Sequence, residues 1–97
     1  MEVVQVIPKD DYKVVVYFVD GAIKQYDVSH LVGEGVFERL LDKEFYKNNC
    51  TVLNGTLAWT LDGKYDKRNC LDIDPYVIYE KGRRVADPLA RRRGLPA

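Results

Sequence analysis

The segment from Tyr12 to Val19 constrains the fold most, because seven of its eight residues are apolar or aromatic and Asp20-Gly21 follows at once. Alternate side chains of an extended strand point to opposite faces, so this strand is apolar on both faces and both must be covered. Asp-Gly is typical of a type I′ turn, after which residues 22–28 return as the partner strand. The sequence therefore predicts a central antiparallel hairpin.

Further strands are predicted on either side of this hairpin. The β-branched residues between Glu2 and Pro8 predict a first strand, which ends where proline has no amide hydrogen to donate. Residues 50–60 predict a second hairpin around Asn54-Gly55. Residues 70–73 predict a brief edge strand, and the polar residues 61–69 predict a loop.

One short helix is predicted in the middle of the chain. Over residues 34–42 the spacing places Val36 over Leu40 and Phe37 over Leu41, as in an amphipathic α-helix. One further helical turn is expected before Asn48-Asn49, with its aromatic residues in the core.

A second short helix is predicted near the C-terminus. Asp74 is a typical N-cap, Pro75 suits the first helical position, and Gly82 ends the helix. Together these elements predict an α+β fold, a small antiparallel sheet built from two hairpins with one short central helix and a short C-terminal helix.

The chain is predicted to form one domain with a basic tail. Its 97 residues are enough for a single core. Residues 1–82 carry a net charge of −4 and residues 83–97 a net charge of +4, so we expect a domain over 1–82 and a flexible tail over 83–97. The tail residues proposed to contact a partner are Arg83, Arg84, Arg91, Arg92 and Arg93.

The sequence is interpreted as that of a cytoplasmic protein. The N-terminal residues show no secretory signal, and no apolar run approaches the roughly 18 residues of a membrane-spanning helix. Cys50 and Cys70 have neither a CxxC motif nor a second pair, so we expect two reduced thiols.

The order of these elements resembles a bacterial family, the domain of unknown function 2442, over roughly residues 3–81. The segment after Trp59 is longer than is usual in the family, and the arginine-rich tail lies outside its shared core. The matching residues are Val4-Gln5-Val6 with Pro8, Asp11-Tyr12, Phe18-Val19-Asp20-Gly21, Asp27-Val28, Gly35-Val36-Phe37 with Leu40, Phe45, Trp59, Asp72 through Pro75, and Tyr79-Glu80.

The resemblance implies a structure but no reaction. Family members look like small stand-alone proteins; some are fused to a helix-turn-helix domain, and some are encoded beside another small protein in an arrangement suggestive of toxin–antitoxin pairs. No catalytic residue can be carried over. The structural residues that can be carried over are Gly21 for a turn, Phe37 and Trp59 for the core, and Asp74 with Pro75 for the helix start.

Candidate catalytic and metal-binding residues are few. His30 is the one histidine, and a general base needs a second group to orient it, whereas the neighbouring Asp27 and Ser29 are expected to satisfy backbone amides. Asp72 and Asp74 share a face of an extended strand, but Asp74 already serves as a helix cap. The sequence contains no phosphate-binding glycine loop and no Cys/His ligand set, so we predict no enzyme activity, no metal and no cofactor.

A surplus of apolar surface indicates binding to other proteins. The seven tyrosines exceed what a small core requires, and one helix covers one face of the sheet, so the C-terminal helix or a second copy of the chain must cover the other. We expect a homodimer and a non-enzymatic interaction module that binds a protein partner, as one half of a toxin–antitoxin-like pair. The alternatives are a nucleic-acid-associated regulator that uses the arginine tail and a protein that binds a small ligand between sheet and helix.

Overall fold

The computed structural model describes residues 1–33, 35–61 and 70–89. Within these ranges the chain forms two antiparallel sheets, one 3₁₀ helix and two short α-helices, which confirms the predicted α+β class. The strands are β1 (Val3–Pro8), β2 (Lys13–Phe18), β3 (Ile23–Asp27), β4 (Cys50–Leu53), β5 (Thr56–Thr60), β6 (Cys70–Ile73) and β7 (Arg83–Arg84); the helices are the 3₁₀ helix (Gly35–Leu41), α1 (Lys43–Asn48) and α2 (Pro75–Lys81).

The first hairpin is confirmed as β2 and β3, but its turn differs from the predicted type I′. The N–H of Gly21 donates to the carbonyl oxygen of Phe18 at 3.0 Å. Gly21 has a φ of 92°, whereas Asp20 lies outside the left-handed region. The connection is therefore a three-residue loop, a type I turn followed by a left-handed glycine. Asp20 stabilises the loop by accepting a hydrogen bond from the N–H of Ala22 at 2.9 Å.

The second hairpin, β4 and β5, has the predicted turn. Asn54 and Gly55 have φ values of 55° and 76°, as a type I′ turn requires. The predicted edge strand is also confirmed, since β6 pairs antiparallel with β5 at the end of the second sheet.

The two hairpins lie in separate sheets, although the sequence predicts one. The first sheet has the order β1-β2-β3-β7 and the second the order β4-β5-β6. At their junction the N–H of Val3 donates to the carbonyl oxygen of Gly55 at 2.9 Å. Packing the inner faces of both sheets into one core buries more apolar surface than a single extended sheet. The core contains Val14, Val16 and Phe18 of the first sheet and Leu57, Trp59, Leu71 and Ile73 of the second.

The central helix differs most from its prediction. Gly35–Leu41 forms a 3₁₀ helix, in which residues three apart share a face. Phe37 and Leu40 therefore pack toward the core, whereas Val36 and Leu41 are exposed. The predicted pairing of Val36 with Leu40 and of Phe37 with Leu41 is wrong, because it assumes the residue spacing of an α-helix.

The two α-helices begin and end for local reasons. Asp42 accepts hydrogen bonds from the N–H groups of Glu44 and Phe45 and so caps the further helical turn that the sequence predicts. Asp74 caps α2, with Pro75 in its first turn, as predicted. Gly82 is the C-cap of α2: its N–H donates to the carbonyl oxygen of Ile78 at 2.8 Å, and this approach requires glycine because a Cβ would lie 2.6 Å from that oxygen.

Beyond Gly82 the structure differs from the expectation of a flexible tail. Arg83 and Arg84 form β7, which pairs with Gln25 and Lys24 of β3. The next five residues, which we call the closing segment (85–89), continue along the sheet. Residues 90–97, the rest of the predicted tail, lie outside the described residues, as do residues 62–69 of the predicted loop.

Candidate interaction surface

The 3₁₀ helix carries two large aliphatic side chains into solvent. Val36 is 70% exposed and Leu41 is 60% exposed, although both lie on the same seven-residue helix. The partly buried side chains of Phe37 and Leu61 and the buried ring of Phe45 lie beside them. We call this area the helix surface; it consists of Val36, Phe37, Arg39, Leu41, Phe45 and Leu61.

Arg39 lies at the centre of the helix surface. Its guanidinium carbon is 4.4 Å from the centre of the Phe45 ring, a cation–π geometry. One guanidinium nitrogen also donates to the carbonyl oxygen of Leu61 at 3.4 Å. These contacts orient the guanidinium while leaving the side chain exposed, so its remaining N–H groups can donate to another molecule.

Grooves lie on both sides of Arg39. One groove of about 480 Å³ is lined by Val36, Phe37, Leu61 and Leu71. A second groove of about 400 Å³ is lined by Leu41 and Phe45 together with the acidic residues Glu38 and Asp42. An arginine beside exposed aliphatic and aromatic side chains has the composition of protein-binding hot spots, which are rich in arginine and aromatic residues.

The closing segment lies over the outer face of the first sheet, which carries Ile7, Val15 and Tyr17. The N–H of Val85 donates to the carbonyl oxygen of Ile23 at 3.1 Å, and the Tyr17 hydroxyl donates to the Asp87 carboxylate at 2.7 Å. Val15 is in consequence only 3% exposed. The cover predicted for this face was the C-terminal helix or a second copy, whereas the structure places residues of the expected tail there.

The tail arginines divide into described and undescribed residues. Arg83 and Arg84 are exposed on β7, where Arg84 lies opposite Lys24 in the sheet register. Arg91, Arg92 and Arg93 lie outside the described residues. Lys24 and Arg84 are cross-strand neighbours, and Arg83 precedes Arg84 on the same edge strand; we call these three residues the cationic edge.

The residues carried over as structural from the family resemblance have the expected positions. Gly21 occupies the left-handed position of the first turn, and Asp74 and Pro75 begin α2. Trp59 is fully buried and its Nε1–H donates to the carbonyl oxygen of Tyr46 at 2.9 Å. Phe37 packs against the same core from the 3₁₀ helix.

His30 and its neighbours form a turn. The carboxylate of Asp27 accepts a hydrogen bond from the N–H of Ser29 at 2.8 Å, and hydrogen bonds from Ser29 lower the pKa of that carboxyl group. The exposed imidazole of His30 instead packs edge-on against the Tyr26 ring at 6.0 Å. Asp27 therefore satisfies a backbone amide, as expected from its position at the end of a strand.

Asp72 and Asp74 line an open cleft together with Glu2. The cleft has a volume of about 620 Å³. Asp74 accepts a hydrogen bond from the N–H of Tyr76 at 2.9 Å and is occupied as the cap. Among the described residues, no group of three or more metal-ligating side chains is found.

Both cysteines are free thiols. Cys50 in β4 and Cys70 in β6 lie on opposite sides of β5, where they pair with Trp59 and Thr60. Burial raises the pKa of the Cys50 thiol to about 12. A raised pKa disfavours the thiolate, so Cys50 behaves as a small core residue.

Most described tyrosines have internal partners, which the sequence analysis does not foresee. The hydroxyl of Tyr12 donates to the carbonyl oxygen of Leu40 at 2.8 Å, and that of Tyr46 to the carbonyl oxygen of Lys9 at 2.6 Å. Tyr79 donates to the carboxylate of Asp20 at 2.9 Å. These hydroxyls connect loops to the core, so the number of tyrosines is not itself evidence of an interface.

Two small antiparallel sheets on one core, with short helices at their edge, define a small α+β protein. The chain belongs to the family described as protein of unknown function (DUF2442), whose model matches residues 3–84. This match confirms the resemblance stated above. Neither the curated proteins nor the solved structures contain a match to the chain. No helix in the described part of the chain has the length and apolar character to cross a membrane.

Proposed function

We propose that this protein is a non-enzymatic interaction module that binds a second protein through the helix surface. The observation that carries the proposal is the 70% and 60% exposure of Val36 and Leu41 on either side of Arg39. Single exposed aliphatic residues are ordinary, but several on one short element beside grooves are typical of interaction sites.

The geometry supports binding by burial of the aliphatic side chains around a fixed arginine. Removing an exposed Val or Leu side chain from water stabilises a complex by roughly 1–2 kcal/mol each. Arg39 is already held over Phe45, so it loses less side-chain freedom on binding than an unrestrained arginine.

The proposed partner is a small co-transcribed protein, as in a toxin–antitoxin-like pair in the cytoplasm. The family resemblance suggests this arrangement, and the arginines of residues 83–97 offer a second contact for an acidic partner. The helix surface supplies the apolar contact, which replaces the sheet face that the sequence analysis proposed for this role.

The experiment is co-purification of the tagged protein from its native host at endogenous level, followed by binding measurements with the purified partner. The double variant Val36→Asp/Leu41→Asp should weaken binding about hundredfold, since it places two charges in a desolvated contact. Val19→Asp is the matched control, because Val19 is 63% exposed in the first hairpin loop. Equal affinities of both variants for the partner would contradict the proposal.

A second copy of the chain is the other occupant to distinguish, since a homodimer is expected from the sequence. Sedimentation at high micromolar concentration separates the two cases. A dimer that the double variant dissociates would assign the helix surface to self-association. Particles of 11.2 kDa would leave it to a different protein.

The cationic edge of Lys24, Arg83 and Arg84 supports a second candidate function, binding to nucleic-acid phosphates. Truncation after Gly82 is a poor test, because it also removes the closing segment. Arg83→Gln/Arg84→Gln keeps that segment and should reduce the salt dependence of duplex binding by about two phosphate contacts. Unchanged binding would exclude this edge as the contact.

A further inference from the structure

The closing segment covers Val15 but leaves a groove beside it on the sheet. This groove has a volume of about 440 Å³, with Ile7 and Val15 on the sheet side and Val85, Pro88 and Leu89 on the other. This volume lies within the range of small-molecule sites, which are mostly apolar with a few polar groups that fix the ligand's orientation.

The polar group at this groove is the ammonium of Lys9. Its Nζ donates to the side-chain oxygen of Gln25 at 3.1 Å, and Gln25 also lines the groove. Among the residues that the structure describes, Lys9 forms no salt bridge, so its hydrogen-bond partner is a neutral amide. The ammonium has three donors, so it can donate to a carboxylate in addition to Gln25.

Two hydrogen bonds hold the backbone of Lys9, and the bond to Gln25 directs its ammonium toward the groove. The N–H of Lys9 donates to the carbonyl oxygen of Lys13 at 3.0 Å. Its own carbonyl oxygen accepts from the hydroxyl of the buried Tyr46 at 2.6 Å. An apolar groove with a cation at its edge complements a molecule that has an apolar chain and one anionic group.

We propose that this groove binds an amphipathic monocarboxylate, with its apolar chain between Ile7 and the closing segment and its carboxylate on Lys9. The groove shares no residue with the helix surface, so this proposal does not depend on the proposed function.

The test titrates the full-length chain with octanoate and with its uncharged analogue 1-octanol. Binding is measured by the chemical shifts of the backbone amides. Octanoate should bind saturably, shift the amides of Val15 and Val85, and bind about tenfold tighter than octanol, which lacks the charge-assisted hydrogen bond. Decanoate should bind more tightly again, by up to about tenfold for two further buried methylenes.

Two substitutions separate the charge from the groove. Lys9→Met should weaken octanoate about tenfold and leave octanol unchanged, whereas Lys81→Met, an exposed lysine of α2, is the control and should change neither. Ala86→Phe, at an exposed position that lines the groove, should fill it and weaken both probes. Pro88→Trp is a second filling variant if the first does not fold.

Four results would overturn the proposal. These are no saturable binding up to about 5 mM octanoate, equal affinity for octanoate and octanol, unchanged octanoate affinity of Lys9→Met, and unchanged affinity of a folded filling variant.

Discussion

The outer face of the first sheet and the helix surface are both apolar, but the chain treats them differently. Val15 on the sheet is 3% exposed because residues 85–89 return across it, whereas Val36 and Leu41 on the 3₁₀ helix are 70% and 60% exposed. A residue type alone therefore does not reveal a binding surface; what matters is whether the rest of the chain covers it.

The difference in exposure follows from where the backbone leaves α2 and from the repeat of the 3₁₀ helix. Gly82 allows the backbone to leave α2 close to the carbonyl oxygen of Ile78 and to pair at once with β3. The closing segment then reaches the sheet face within a few residues. The 3₁₀ helix instead places Val36 and Leu41 outward because its three-residue repeat aligns Phe37 with Leu40 on the inner side.

The same substitution on both surfaces should have very different effects on stability. Val15→Asp should cost about 3 kcal/mol or more, since it buries an unpaired charge, and Leu41→Asp should change the free energy of unfolding by less than about 0.5 kcal/mol. Urea unfolding of the two variants measures the difference. Similar losses would show that the two surfaces do not differ in burial.

Truncation of the chain tests whether the closing segment stabilises the fold by covering the first sheet. Ending the chain after Arg84 should destabilise it by about 2 kcal/mol, because Val15 and its neighbours become exposed. Ending it after Leu89 keeps the cover and should leave the free energy of unfolding within about 0.5 kcal/mol of the full chain. If both truncations unfold at the same urea concentration, the closing segment is not what covers the sheet.

The stability of the protein at alkaline pH tests whether the thiol of Cys50 in β4 is shielded from water. The pKa of Cys50 is raised from 9.0 to about 12, so the folded state retains a proton that the unfolded state loses. The stability that the protonated Cys50 thiol contributes is fully present below pH 9 and is lost as the pH rises toward 12. In that range the free energy of unfolding should fall by about 1 kcal/mol per pH unit.

Cys50→Ala should remove this pH dependence of the free energy of unfolding, measured with urea between pH 9 and pH 11. The missing sulfur should also lower the free energy of unfolding by a smaller amount that does not vary with pH. Parallel pH profiles of wild type and variant would show that the thiol is accessible to water in the folded state.

The smallest effect is expected at the attachment of the closing segment. Tyr17→Phe removes the hydrogen bond to Asp87 and should cost about 0.5–1 kcal/mol. Thermal unfolding of the variant and of Tyr76→Phe, whose side chain is 63% exposed, provides the matched comparison. Equal transitions would mean that the hydroxyl of Tyr17 does not hold the segment.

The parts of the fold that the sequence predicts are those determined by neighbouring residues. Asn54-Gly55 has the backbone that this pair favours, and Asp74-Pro75 begins a helix by local hydrogen bonding. The turn at Gly21 differs because a single left-handed residue suffices there.

The parts that the sequence does not predict depend on distant contacts. The outward side chains of Val36 and Leu41 follow from a 3₁₀ geometry that the apolar spacing does not distinguish from an α-helix. The cover over Val15 comes from residues 85–89, which carry little apolar periodicity of their own. Charge patterning marked Arg83 and Arg84 but gave no sign that they pair with β3.

The most direct test of the helix surface is photocrosslinking in the native host, with p-benzoylphenylalanine placed at position 36 and, separately, at position 19. We expect a covalent adduct with a specific protein from position 36 and none from position 19, although both valines are exposed. Absence of an adduct at position 36, or the same adducts from both positions, would contradict this expectation.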